Sequence, residues 1–122
     1  MRQNIWEPPE RLLPYLIMFT KPYIGENNDL GVSSFESFLE ALAENYNVPE
    51  TVVFWNEAAE VCSEGHKLLP AVLELEKAGV RILVSEQAVT KFKIKNSLRA
   101  GRLANHFDLV VAINASPKPV IF

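Results

Sequence analysis

Cysteine is almost absent from this chain, and its scarcity excludes several kinds of chemistry. Cys62 is the only cysteine in 122 residues, so an internal disulfide and a two-cysteine redox motif are both excluded. Histidine is nearly as scarce, because only His66 and His106 are present, and a structural zinc site needs more ligands of these two types. We therefore expect no bound metal.

Long hydrophobic runs are also lacking. The longest apolar run, Tyr15 to Phe19, is far shorter than the roughly 20 residues that span a bilayer. The first eleven residues are too rich in charge and proline for a signal peptide. Gly25 stands alone, outside the glycine patterns that bind nucleotide phosphates. These absences predict a cytoplasmic protein with no membrane association and no cofactor.

The net charge of −3 conceals two halves of opposite sign. Up to Val84 the chain has 13 acidic and six basic residues, whereas from Ser85 onward it has two acidic and six basic residues. Five of these basic side chains form a patch with two possible roles. It is either a solvated helix face, or a surface that attracts a small anionic ligand or the acidic face of another copy. Nucleic acid is not expected, because the whole chain is acidic and no known binding motif accompanies the patch. The patch comprises Lys91, Lys93, Lys95, Arg99 and Arg102.

Apolar segments of two kinds alternate along the chain, and their order predicts the fold. Short continuous runs are typical of strands buried on both faces, whereas longer segments with apolar residues three and four apart are typical of helices. The order predicts one α/β domain, a three-layer α/β/α sandwich with a mainly parallel sheet, at residues 14–122 after an arm at residues 1–13 that carries Trp6. The predicted strands are Tyr15–Thr20, Thr51–Trp55, Val80–Val84 and Val120–Phe122, and the predicted helices are Asp29–Glu44, Gly65–Ala78, a short helix or turn within Ser85–Ile94, and a last helix capped by Asn105.

The topology also predicts where a ligand site lies. In an open parallel sheet, ligands bind outside the carboxyl ends of the strands, where loops meet the beginnings of helices. The loops in question follow the first three predicted strands. They bring together the predicted ligand-binding residues Lys21, Asn56, Glu57, Ser85, Glu86 and Gln87, with Cys62 and His66 nearby.

Five segments resemble the DsrE-like sulfur-relay family in their sequence patterns and in their order along the chain. The first contains a glycine, acidic residues and a final Leu-Gly pair, and the last follows the pattern of glycine, small residue, asparagine, aromatic, aspartate and aliphatic. They are Ile24–Gly31, Thr51–Asn56, Val61–His66, Leu73–Val84 and Gly101–Val110. The resemblance runs from about Tyr15 to Phe122, and the most similar subgroup is the C-terminal domain of sulfurtransferase-like selenium-metabolism proteins (the YedF type). It implies a DsrE-like fold and assembly as homo- or hetero-oligomers.

The chain departs from that subgroup at its reactive position. There the third strand ends in Cys-Gly-Thr-Cys, and related sulfur-relay subunits keep one cysteine that carries a persulfide. This chain reads Ser85-Glu86-Gln87-Ala88 instead. A serine hydroxyl cannot replace the thiol, because persulfide formation requires a thiolate at ambient pH.

Three functions remain open at this point. The leading hypothesis is a non-catalytic DsrE-like subunit that binds a small ligand, a second copy or a sulfur-relay protein partner. An alternative is a sulfur-transfer protein that uses Cys62 as its persulfide carrier, since Cys62 precedes a predicted helix and His66 follows four residues later. Another is a small-molecule enzyme in which the loop carboxylates of Glu57 or Glu86 transfer protons.

Overall fold

The computed structural model of the chain describes residues 11–122, in which strands and helices alternate. The order is β1 (Leu12–Phe19), α1 (Asp29–Glu44), β2 (Val48–Phe54), α2 (Leu69–Lys77), β3 (Arg81–Ser85), α3 (Glu86–Lys91), β4 (Arg102–Ala104), α4 (His106–Ala115) and β5 (Pro119–Ile121). Short 3-10 helices lie at Asn56–Cys62 and Lys95–Ser97. No helix within residues 11–122 has both the length and the apolar character needed to cross a membrane.

The strands form one parallel sheet in the order β4-β3-β2-β1-β5. Three successive crossovers lead from β1 to β4 in one direction, and a single return crossover leads from β4 to β5. Right-handed crossovers in opposite directions place their helices on opposite faces of the sheet. The helices therefore cover both faces, and the predicted α/β/α sandwich is confirmed.

The two faces are covered unequally. On the first face, α1, α2, α3 and the 3-10 helix at Asn56–Cys62 bury a large core in which the Phe19 ring lies 5.2 Å from Phe35 and 5.6 Å from Phe54, centroid to centroid. On the second face, α4 is the one helix of residues 11–122 that packs on the sheet, and it buries Leu109 and Ala112 there. The smaller cluster on this face also contains Leu16, Met18, Val53, Leu83 and Ala104.

Local sequence signals locate several element boundaries. Helix α1 has the predicted bounds, and its cap is Asn28, whose side-chain oxygen accepts a hydrogen bond from Gly31 N at 2.8 Å. The sequence offers a second possible cap, Ser33 paired with Glu36 in a capping box, and this alternative is wrong because Ser33 lies inside the helix. The predicted cap of α4 is confirmed, since the Asn105 and Asp108 side chains each accept a hydrogen bond from the other residue's backbone N–H.

Other boundaries differ from those predicted. Helix α2 begins four residues later than expected, at Leu69, after a turn in which Leu69 N donates to His66 O. Strand β4 was not predicted, and its residues belong to the segment Gly101–Val110, which resembles the final helix of the DsrE-like family. Leu12 and Leu13, assigned to the arm, belong to β1 and pair with Val48 and Pro49. The rest of the arm at residues 1–10, with Trp6, lies outside the described residues.

Candidate ligand site at the carboxyl edge of the sheet

Two adjoining clefts open at the carboxyl edge of the sheet, where β2 and β3 end and α3 and α4 begin. The larger has a volume of about 500 Å³ and the smaller about 330 Å³. Gln87 and Lys91, both on α3, line the two clefts and so join them into one site. The remaining lining residues are Glu86, Thr90, Asn105 and His106 in the larger cleft and Asn56, Glu57, Ala88 and Phe92 in the smaller.

Four of the six predicted ligand-binding residues come together at this site. Glu86 and Gln87 begin α3, while Asn56 and Glu57 follow the end of β2. This juxtaposition arises because β2 and β3 are neighbouring parallel strands, whose carboxyl ends meet at the same edge.

Lys21 and Ser85 do not line either cleft. The ammonium nitrogen of Lys21 lies 5.5 Å from the centroid of the Tyr23 ring, within the loop that follows β1. Ser85 is buried, and its hydroxyl oxygen accepts a hydrogen bond from Ala88 N at 3.3 Å. Ser85 therefore caps α3 and presents no hydroxyl to the open site.

Asn56 has an unusual backbone for a residue that is not glycine. Its φ of 52° lies in the left-handed region, which asparagine tolerates better than most residues. The sequence leaves two roles open for its side chain, a hydrogen bond to the loop backbone or a contact with a ligand. Within residues 11–122 the side chain forms no hydrogen bond to the backbone, and it is exposed. The Asn56 amide is therefore free to bind a ligand in the smaller cleft.

His106 contributes to the site in a way that we did not predict. As the first residue of α4 it lines the larger cleft, and its ring lies 5.5 Å from the half-buried Trp55 ring. Its place directly after the Asn105 cap indicates a residue at the start of a helix rather than a base, and it is the first residue of α4. Because β4 was missed, nothing in the sequence indicated that the beginning of α4 reaches the same edge as α3.

Cys62 lies away from the clefts, in the core of the first face. It is fully buried, and its carbonyl accepts a hydrogen bond from Arg99 N at 2.9 Å. Burial strongly raises the pKa of the Cys62 thiol, and the negative charge of Glu76 raises it further. The thiol therefore stays protonated and inaccessible, the reverse of what a persulfide carrier requires.

His66 does not activate Cys62. The Nδ1 atom of His66 accepts a hydrogen bond from Leu68 N at 3.1 Å, which requires that nitrogen to be unprotonated. Burial lowers the pKa of His66, although Glu60 and Glu36 partly oppose the shift. A neutral imidazole has no positive charge to stabilise a thiolate. Its unprotonated nitrogen already accepts the hydrogen bond from Leu68 N, so it does not serve as a base for the thiol.

The basic patch is divided by the fold. Lys91 lines both clefts, whereas Arg99 forms an ion pair with Glu64, with 3.3 Å between Nε and Oε1. Arg102 begins β4 and lines a different groove, between β4 and α4. Lys91 is thus the one member of the patch that lines the site. Among residues 11–122, no three His, Cys, Asp or Glu side chains come together as metal ligands.

The parallel sheet with its 4-3-2-1-5 order and two helical layers defines a DsrE-like fold. Among solved structures, the ychN protein from E. coli, which has this fold, is similar to the chain with a TM-score of 0.68. The alignment covers 90% of this chain and 100% of that protein at 11% sequence identity, so the similarity establishes the fold alone. No protein-family model matches the chain, and no curated protein sequence matches it.

Proposed function

We propose that this chain is a non-catalytic DsrE-like subunit that binds a small ligand at the carboxyl edge of its sheet and takes no part in sulfur transfer by a thiol of its own. The observation that carries the proposal is the burial of both Ser85 and Cys62. Ser85, at the position of the family's reactive cysteine, is buried as a helix cap, and the only cysteine of the chain is sealed in the core.

The side chains at the clefts support ligand binding. Lys91 supplies a positive charge, while Gln87 and Asn56 supply amide groups that both donate and accept hydrogen bonds. The Glu86 and Glu57 carboxylates flank the same space. This mixture suits a small polar molecule with an anionic group directed at Lys91 and a hydrogen-bond donor directed at the carboxylates. Neither carboxylate is enclosed, which disfavours the proton-transfer alternative.

The thiol part of the proposal is tested by intact mass after incubation with inorganic polysulfide. A reactive thiolate attacks the polysulfide and retains one sulfur atom as a persulfide, releasing a shorter polysulfide. We expect no mass gain by the native protein. The control is Gln87→Cys in a Cys62→Ala background, whose exposed thiol at the cleft should gain sulfur. Sulfur gained by the native protein and lost in Cys62→Ala would identify Cys62 as a carrier and overturn the proposal.

The ligand part is tested by nuclear magnetic resonance titration with small oxyanions, thiosulfate and sulfate among them. Binding should shift the backbone amide signals of Gln87, Lys91 and His106. Lys91→Ala should weaken the binding about tenfold, as expected for one charge-assisted hydrogen bond. Lys93→Ala is the matched control, since Lys93 is an exposed lysine two residues away that does not line either cleft. Equal losses in the two variants would indicate general charge attraction and contradict a site at the clefts.

A further inference from the structure

Helix α4 is apolar on both of its sides. Its inner side buries Leu109 and Ala112 against the sheet. Its outer side carries Phe107, Val110 and Val111, with exposed fractions of 75%, 55% and 51%. Together with Asn114 these residues follow the i, i+3, i+4, i+7 spacing of a packing stripe, here named the outer stripe. A helix that faced only water would carry polar side chains at these positions.

The outer stripe is large enough for a modest interface. Applied to side chains of about 150–200 Å² each, the exposed fractions of its three apolar residues amount to roughly 300 Å² per copy. Ile121, on the same face of the sheet as Met18, adds a further apolar side chain that is 57% exposed. The stripe residues of two copies together contribute roughly 600 Å², about half of the 1,200 Å² at the lower limit of specific interfaces. We therefore expect a weak dimer whose population depends on protein concentration.

We propose that the outer stripe of α4 packs against the same stripe of a second copy, with the two helices antiparallel. The stripe contains no charged side chain, so a copy of itself meets no like charge at the centre of the contact. The stripe has a large aromatic side chain at one end, two valines in the middle and a small polar side chain at the other end. Such a stripe is complementary to a copy of itself whose helix runs in the opposite direction. Phe107 then lies over the partner's Asn114, and the valines meet near the two-fold axis.

The rim charges favour the antiparallel arrangement. Helix α4 connects two parallel strands, so it runs opposite to them, and Asp108 in its first turn lies toward the carboxyl edge of the sheet. Arg81 and Arg102, which line the same groove beside α4, are the first residues of β3 and β4 and lie toward the other edge. In the antiparallel arrangement, the edge of the partner's sheet that carries the two arginines lies beside Asp108. The opposite charges then face each other across the contact.

The association is tested by sedimentation velocity between about 1 and 200 µM, a range that brackets the micromolar affinities of small interfaces. We expect a monomer–dimer equilibrium that Phe107→Glu weakens about 100-fold, because each dimer loses the burial of two aromatic side chains and two carboxylates enter the contact in their place. Leu30→Glu is the matched control, since Leu30 is also the second residue of its helix and is 76% exposed, but it lies on α1. A monomer throughout this range, or equal effects of the two substitutions, would refute the proposal.

Salt distinguishes this contact from association of the acidic and basic halves. Apolar packing persists at about 1 M NaCl, whereas attraction between exposed charges is screened there. We expect dimers to remain at high salt. Dissociation at high salt, with Phe107→Glu having no effect at low salt, would assign the association to the charged surfaces and overturn the role of α4.

Single cysteines test the direction of the helices. Val110→Cys or Val111→Cys places a thiol near the two-fold axis, and mild oxidation should give disulfide-linked dimers. Phe107→Cys should not cross-link, because a 1.5 Å rise per residue separates the two thiols by about 10 Å along antiparallel axes. Native Cys62 is buried and does not compete. Efficient cross-linking through Phe107→Cys would indicate parallel helices and contradict the arrangement.

Discussion

Replacement of Gly31 by alanine should destabilise the protein, although the same replacement usually stabilises a helix by up to about 1 kcal/mol. A Cβ atom at Gly31 would lie 1.8 Å from the carbonyl oxygen of Glu26, which must withdraw to the 3.4 Å at which ordinary contact begins. That oxygen accepts a hydrogen bond from Asn28 N at 2.9 Å, and Asn28 caps α1. Overpacking, a lost hydrogen bond and a weakened cap together cost about 2–4 kcal/mol.

Equilibrium unfolding in urea, followed by far-ultraviolet circular dichroism, measures this loss. Gly65→Ala is the control, because Gly65 has a φ of +87° but nothing within 4 Å of an added Cβ. It should lose only about 1 kcal/mol, the cost of a left-handed conformation for a residue with a side chain. Gly31→Ala with a free energy of unfolding equal to or above that of the native protein would refute the reasoning, since the loop would then accept a carbonyl shift without penalty.

Three further predictions concern a cap, a thiol and a histidine. Asn105→Ala removes the side chain that accepts from Asp108 N at 2.8 Å and should lower the free energy of unfolding by about 1 kcal/mol, with an unchanged midpoint in urea as the contrary result. Cys62 should react with Ellman's reagent only after denaturation, because its thiol is buried with a raised pKa; rapid reaction in the native state would contradict this. The pKa of His66 is lowered in the folded state, so its contribution to stability is complete above about pH 6.5 and declines as the pH falls toward the folded pKa. The urea midpoint of His66→Gln should therefore change less between about pH 7 and pH 5 than that of the native protein, and equal changes would exclude this role for His66.

Sequence analysis succeeded where local chemistry determines the structure. The bounds of α1 follow from the asparagine cap and from phenylalanine and leucine three and four residues apart, which place Phe35 and Leu39 in the core. Gly79 directly follows the predicted helix end at Ala78, where a left-handed glycine is usual, and its φ of +100° confirms the left-handed turn. The parallel topology followed from the spacing of the strands, and it brought four of six predicted site residues to one edge.

The unpredicted features depend on tertiary contacts. Strand β4 has only three residues, and it exists because Arg102 to Ala104 pair with Leu83 to Ser85. No periodicity marks so short a strand, and without it the position of His106 beside α3 could not be inferred. Ser85 was predicted to follow the third strand and is the last residue of β3. Whether its side chain faces a cleft or caps a helix depends on the turn into α3, which the sequence does not specify.

The single return crossover connects the two proposals. Because three crossovers run in one direction, three of the α-helices within residues 11–122 cover the first face and α4 is the one that covers the second. This one helix provides His106 to the ligand site and Phe107 to the outer stripe, and the two residues are adjacent. A ligand held between α3 and α4 and a second copy packed on α4 therefore act on the same element. If either event shifts the first turn of α4, linkage requires each to change the affinity of the other by the same factor. A dimer affinity that changes when the cleft is occupied, but not in Lys91→Ala, would demonstrate this coupling.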